Sequence, residues 1–165
     1  MFSVDKYKYP MKGENTAMRF LPINDAEAHC DIPCGIYDPI TAKIAAQTVL
    51  KMVIRINSLG DTNGDLGKAA TLARYVAVKE EHSDLVKRDI DVLWHDYFKP
   101  EHLEKYPDLH TLVWDTTKLA STNKQNVDAE SATQLVSHVD RISRIFWETK
   151  GISYEDSVSE VRFGT

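Results

Sequence analysis

From Asp38 onward, apolar side chains recur at helical intervals. Ile40, Ile44, Thr48, Met52 and Ile56 follow one another every four residues beside Ala45, Val49 and Val53, the one-face pattern of an amphipathic helix. Asp38 can cap this helix and Pro39 suits its first position. It is expected to stop near Ser58, because Gly60 offers a left-handed cap and the run from Gly60 to Asp65 is loop-forming. A second stripe of Leu72, Val76, Val86, Ile90, Leu93 and Tyr97 predicts a helix from about Lys68 to Tyr97. The charges of KEEHSDLVKRD form its solvated face, and Lys99-Pro100 ends it. Residues 100 to 106 read as a connector, after which Pro107 can open a third helix carrying Leu109, Leu112, Val113, Thr116 and Leu119, fraying at Ser121-Thr122-Asn123. The fourth begins near Asp128 and runs through Leu135, Val139, Ile142 and Phe146 to Lys150, with Gly151 as its stop. No strand alternation, internal repeat or low-complexity segment interrupts this order, so residues 38–151 are expected to form an all-α, antiparallel four-helix bundle. Residues 152–165 form a tail with no assignment.

Composition narrows the class. A chain of 165 residues most often makes one domain with a real core. No apolar run approaches the roughly 20 residues of a membrane helix, so no membrane is expected as a partner. The formal net charge of -5 comes with no basic stripe, which argues against DNA or RNA as a ligand. Residues 1–28 lack apolar periodicity and the continuous apolar centre of a secretory signal, yet end in Ala26-Glu27-Ala28, which is similar to a small-residue cleavage site. They read as a leader processed outside the ordinary export pathway, and the cytoplasm is the expected location.

The segment HCDIPCG, residues 29–35, holds both cysteines of the chain. Cys30 and Cys34 would close a tiny, strained loop containing Pro33. Their spacing is not the Cys-x-x-Cys of a thiol oxidoreductase, and the remaining histidines (His82, His95, His102, His110, His138) supply no second pair at zinc-finger spacing. Thiolates and imidazole are ligands for soft or borderline metals such as nickel, copper, zinc or iron. On spacing alone, metal binding stands beside a surface disulfide and two unrelated thiols.

HCDIPCGIYDP, residues 29–39, resembles the nickel hook of the nickel superoxide dismutase family, whose hallmark is H-C-D-x-P-C-G-x-Y-D-P at the start of the mature chain. LWHDYFKPEHLEKYP, residues 93–107, and IFWETK, residues 145–150, resemble further blocks of that family, which is itself built of four-helix bundles. The resemblance implies that a processing protease removes residues 1–28 and gives His29 a free amine. Residues 29–37 would then be the hook. One nickel ion per subunit would be held by the Cys30 and Cys34 thiolates, the Cys30 amide nitrogen and the His29 amine, with the His29 imidazole as axial ligand in the oxidised state. Anionic thiolate and amide donors bring Ni(III)/Ni(II) within reach of superoxide. Two superoxide anions and two protons would become dioxygen and hydrogen peroxide. Pro33 holds Ile32 extended and Gly35 relieves the backbone after the second thiolate, so the segment can curl around one ion. Tyr37 is implied beside the open face of the metal, with Tyr97 and Lys99 approaching it. Lysine there would attract the anion, and phenols can order proton-supplying water. The family assembles as a homohexamer, which is the expectation here.

One departure stands out. Where some members carry a glutamate on the first helix and an arginine on the second to steady the axial histidine, this chain has Ala45 and His82, leaving His82 or Glu81 to substitute. Asp31 is suited to positioning the hook. Read without the resemblance, Tyr97 is a core residue, Lys99 a helix-end charge, and Trp94, Trp114, Phe146 and Trp147 are bundle core or subunit contacts. The alternative functions are a non-catalytic nickel-binding or storage bundle that keeps its leader, and a helical interaction module whose cysteines are incidental.

Overall fold

In the computed structural model of the chain, residues 35–164 are described, and within them every regular element is helical. The elements are α1 (Ile40–Leu59), α2 (Leu66–Val92), a π-helical turn (Leu93–Tyr97), α3 (Pro100–Lys105), α4 (Leu109–Gln125), α5 (Ala129–Thr149) and α6 (Ser159–Phe163). The long helices α1, α2, α4 and α5 pack in a ring, α1 on α2, α2 on α4, α4 on α5 and α5 back on α1. Together they form the expected four-helix bundle.

Side-chain caps set the helix starts. The Asp38 carboxylate accepts from Ile40 N at 2.9 Å, Asp65 accepts from Gly67 N and Lys68 N, and Asp128 accepts from Glu130 N and Ser131 N, each satisfying amide donors that a first turn leaves open. Gly60 and Gly151 take φ of 65° and 74°, the sign that suits glycine at a helix exit.

The core is built from Ala42, Ala46, Val49 and Val53 of α1, Val86 and Ile90 of α2, Leu109 of α4, and Leu135, Val139, Ile142 and Phe146 of α5, all inaccessible to solvent. The buried face of α1 is rotated away from its four-residue repeat of large side chains. Ile44 is 44% exposed, whereas Ala42, Ala45 and Ala46 point inward, because small side chains let neighbouring helices approach closely on both sides. On α2 the expected stripe is only partly buried. Val86, Ile90 and Leu93 are in the core, but Leu72 and Val76 are half-buried.

Three further expectations are corrected. The second helix ends at Val92 in α-form and continues as a π-turn, in which Phe98 N donates to the Leu93 carbonyl at 3.0 Å. The connector after Pro100 is itself a helical turn, with Pro100 at its first position and Leu103 and Tyr106 packed on the core. Ser121-Thr122-Asn123 does not fray, and α4 runs on to Gln125. The buried Asn123 amide donates to Leu119 O and to Ser131 Oγ on α5, and the Lys79 ammonium of α2 donates to the carbonyls of Asn123 and Lys124.

The tail also has structure. Tyr154 stacks on Trp147 with ring centroids 5.7 Å apart, and α6 is tied to α1 through Gln47, whose amide donates to Ser159 Oγ at 2.7 Å. Beneath it lies an ion cluster. Lys43, with 4% of its side chain exposed, contacts Asp140 at 2.6 Å and Asp156 at 3.2 Å, and Asp156 accepts two bonds from Arg162.

Candidate metal centre

His29, Cys30 and Cys34, the expected metal donors, lie outside the described residues, as does the leader. The described chain begins just past them at Gly35, whose φ of 80° favours glycine. Among the described residues, no group of three or more His, Cys, Asp or Glu side chains is arranged to hold a metal ion.

Tyr37 is half-buried and packed against the bundle core two residues beyond Gly35. Its ring lies 5.7 Å from that of Tyr97, tilted by 58°. The two tyrosines are sixty residues apart in sequence and meet because α1 starts beside the π-turn that ends α2. The wider turn shifts the register of the helix over its last residues.

Tyr97 is set among aromatic rings. Phe146 lies 4.5 Å away, Phe98 5.3 Å and His102 5.6 Å, the last nearly parallel at 21°. The Lys150 ammonium stands 5.1 Å over the same ring, within cation–π reach. The Tyr97 hydroxyl is 2.6 Å from Thr149 Oγ1. Tyr97 is thus half-buried against the core, on the side its stripe predicts, and a neighbour of Tyr37.

Lys99 is exposed, two residues after Tyr97, in extended conformation at the start of α3. Its backbone amide donates to His102 Nδ1 at 3.1 Å, so the neutral imidazole carries its proton on Nε2. That bond holds the His102 ring against Tyr97.

His102, Thr149 and Lys150 complete this constellation and were not singled out as site residues from sequence. The signal for His102 is its position three residues after Lys99, where a side chain can reach back to the amide preceding a Pro-initiated turn. Thr149 and Lys150 lie within IFWETK, but only the fold shows that the end of α5 meets the end of α2.

The substituted positions are also placed. Ala45 is buried with 2% exposure, Glu81 is exposed, and the half-buried His82 donates from Nδ1 to the Val78 carbonyl at 2.8 Å. His95 bonds the Asp91 carbonyl of its own helix, His110 meets the edge of Trp94, and Trp114 is 57% exposed on the bundle surface.

The electrostatics on the opposite side of the start of α1 come from the tail. Burial would lower the Lys43 pKa, but the bonds and charges of Asp140 and Asp156 outweigh it and hold the ammonium above 10.5. The Arg162 bond, helped by Lys43, keeps the Asp156 carboxyl below 3.8 against the effect of burial. Burial pushes the Tyr154 phenol up, with Lys43 opposing and the Asp156 and Asp38 charges adding to the rise.

Residues 24–150 match the family model described as nickel-containing superoxide dismutase. The matched span includes His29, Cys30 and Cys34 and ends at Lys150, so residues 151–165 lie past it. The chain is 39% identical over 131 residues to a Ni superoxide dismutase of Streptomyces seoulensis, covering 79% of this chain and 95% of the relative. It is 40% identical over 131 residues, with the same coverage, to that of Streptomyces coelicolor. Among solved structures, the crystal structure of a Ni-containing superoxide dismutase with Ni-ligation corresponding to the oxidised state aligns with a TM-score of 0.64 at 39% identity. That alignment covers 75% of this chain and 100% of the solved one. A native structure of nickel superoxide dismutase aligns with a TM-score of 0.63 at 40% identity, covering 74% and 99%.

Proposed function

We propose, since the chain belongs to the nickel-containing superoxide dismutase family and is therefore a nickel-dependent enzyme acting on superoxide, that its own donors are His29, Cys30 and Cys34 and its proton-handling residues are Tyr37 and Tyr97, with Lys99 steering the anion. The donor chemistry fits the metal. Two thiolates and one histidine, bracketed by Pro33 and Gly35, make a set that suits nickel and would be a poor site for magnesium or calcium. When bound, nickel supplies the one-electron couple that lets one superoxide be oxidised to dioxygen and another reduced to peroxide.

The chain's remaining tasks are attraction, orientation and protonation. Superoxide is an anion, and the exposed Lys99 ammonium gives this end of the bundle a local positive charge that raises its encounter rate. Peroxide formation consumes two protons per turnover. The Tyr37 and Tyr97 phenols, on rings 5.7 Å apart, can bind and orient the water that delivers them. That pairing, formed three residues beyond Cys34, is the observation that supports this assignment most directly. His82 or Glu81 would steady the His29 imidazole; His82 is half-buried and its Nδ1 donates to the Val78 carbonyl, which leaves Nε2 available, whereas Glu81 is exposed.

Removal of residues 1–28 by a processing protease would convert the His29 nitrogen from an amide into an amine donor. The leader's four basic and four acidic side chains cancel, so the cut acts through that new terminus rather than through side-chain charge. Assembly as a homohexamer follows the family resemblance, and apolar side chains left exposed on the bundle, Leu66 at 84% and Trp114 at 57% among them, are available for subunit contacts. Among the described residues no helix is long and apolar enough to cross a membrane. The cytoplasm is the proposed location on separate grounds, the lack of an export-signal centre in residues 1–28.

The test is a paired measurement on protein made with its own processing machinery: N-terminal mass and nickel content, then superoxide consumption on the same sample. A chain beginning at His29 with stoichiometric nickel and fast dismutation is expected. A chain beginning at Met1 that binds nickel without activity, even after cleavage before His29 in vitro, would replace catalysis with nickel storage.

A further inference from the structure

We propose that Thr149 is a positioning residue that fixes the direction of the Tyr97 hydroxyl proton, so that the phenol faces the metal site as a hydrogen-bond acceptor. This rests on the reading of Tyr97 as a site residue and sharpens what that residue does.

The assignment follows from counting protons. Thr149 Oγ1 lies 2.6 Å from the Phe146 carbonyl oxygen and 2.6 Å from the Tyr97 hydroxyl oxygen. A carbonyl only accepts, and a threonine hydroxyl has one proton. That proton is given to Phe146 O, which leaves Thr149 Oγ1 as the acceptor for Tyr97. The Tyr97 O–H is therefore committed to Thr149, and only phenol lone pairs remain for anything on the site side.

The surroundings hold this arrangement in place. Four rings fix the plane of Tyr97, from Tyr37, Phe98, His102 and Phe146, but none of them sets the torsion of its hydroxyl. Thr149 does. It sits in the last turn of α5, which is closed by bonds from Lys150 N and Ile152 N to Trp147 O and from Gly151 N to Glu148 O. The partner of the phenol is thus on a rigid helix end rather than in a loop.

The consequence for the reaction is a specific role. Tyr97 takes a proton of a site water in a hydrogen bond and so aims that water's other proton. It does not hand its own proton to peroxide.

The experiment compares Thr149→Val, Thr149→Ser and Tyr97→Phe in protein made with its own processing machinery. Two readouts are taken: the tyrosine 13Cζ NMR resonance of Tyr97 in the nickel-free protein, assigned by its loss in Tyr97→Phe, and kcat with its pH profile in the nickel-loaded enzyme. Valine is nearly isosteric but cannot accept, so the Tyr97 resonance should move and kcat should fall by about tenfold, less than the roughly 10²–10⁴-fold that a positioned acid–base group contributes, because Tyr97 itself stays in place. Serine keeps the acceptor and should restore both. A Thr149→Val protein with the resonance unmoved, or a serine variant indistinguishable from valine, overturns the proposal. If Tyr97→Phe retains full turnover, the reading of Tyr97 as a site residue fails, and the resonance still decides whether Thr149 holds the phenol.

Discussion

Asp156→Asn removes one charge from the best-buried ion cluster of the molecule while keeping the shape of the side chain. The Asp156 carboxylate has 7% of its surface exposed and accepts from Arg162 Nη1 at 2.7 Å, Arg162 Nη2 at 2.9 Å and Lys43 Nζ at 3.2 Å. Charge-assisted bonds of this kind contribute about 1.5–3 kcal/mol each when taken singly. Their sum overstates the loss, since the carboxylate also regains hydration on unfolding, Arg162 is already 24% exposed, and Lys43 keeps Asp140. A cost of about 2 kcal/mol at neutral pH is expected. The pH dependence is the sharper test. Asp156 is held below 3.8 chiefly by its Arg162 bond, against burial and with help from Lys43. Its contribution is complete above 3.8 and is lost as pH falls through the lower folded value. Lys43 is raised above 10.5, so its own contribution is unchanged across the acid range and disappears only at strongly alkaline pH. Urea unfolding of the two proteins, followed by fluorescence of Trp147 beside Tyr154, should therefore show a gap at pH 7 that closes on acidification below about pH 4. A gap of the same size at both ends of that range, or no gap at pH 7, would refute the assignment of Asp156 as the charged hub of the tail.

Lys79→Met tests the unusual cap of α4. Lys79 is 2% exposed, its ammonium donates to the Asn123 and Lys124 carbonyls, and burial lowers its pKa while the Glu80 charge partly opposes the fall. Loss of these bonds should cost about 2 kcal/mol, with amide exchange accelerating in the last turn of α4. Wild-type stability should also rise with pH on approach to 10.5, because the unfolded chain then binds the proton more tightly than the folded one, and Lys79→Met should lack that rise. Asp128→Ala leaves Glu130 N and Ser131 N without their acceptor and should lower the thermal midpoint through a loss of about 1 kcal/mol.

The parts of this molecule that were legible in the sequence are those whose cause is local. Asp128, Gly60 and Gly151 mark helix ends because a cap or a positive φ acts over a few residues, and the stripe on α5 reads correctly because one face of that helix is almost wholly core. The proposed metal donors His29, Cys30 and Cys34 are read from a contiguous segment too, though spacing alone left metal binding open and only the family resemblance supplies the donor set. What was misread depends on partners far along the chain. Ser121-Thr122-Asn123 looks like a fraying end until Lys79, over forty residues earlier, supplies donors for its carbonyls. The tail looks structureless until Asp156 and Arg162 meet Lys43. On α1 the repeat of large side chains runs through Ile40 and the exposed Ile44, while the helix buries Ala42, Ala45 and Ala46, because close approach of two neighbours rewards small volume over hydrophobicity. The same separation runs through the candidate site. The residues proposed to meet the metal fall within a motif of eleven consecutive positions, whereas the hydrogen bond at the Tyr97 hydroxyl comes from Thr149, fifty-two residues away, and nothing in threonine's own neighbourhood distinguishes it from a surface residue near a helix end. Ligand identity is a property of a segment; proton direction is a property of the packed bundle.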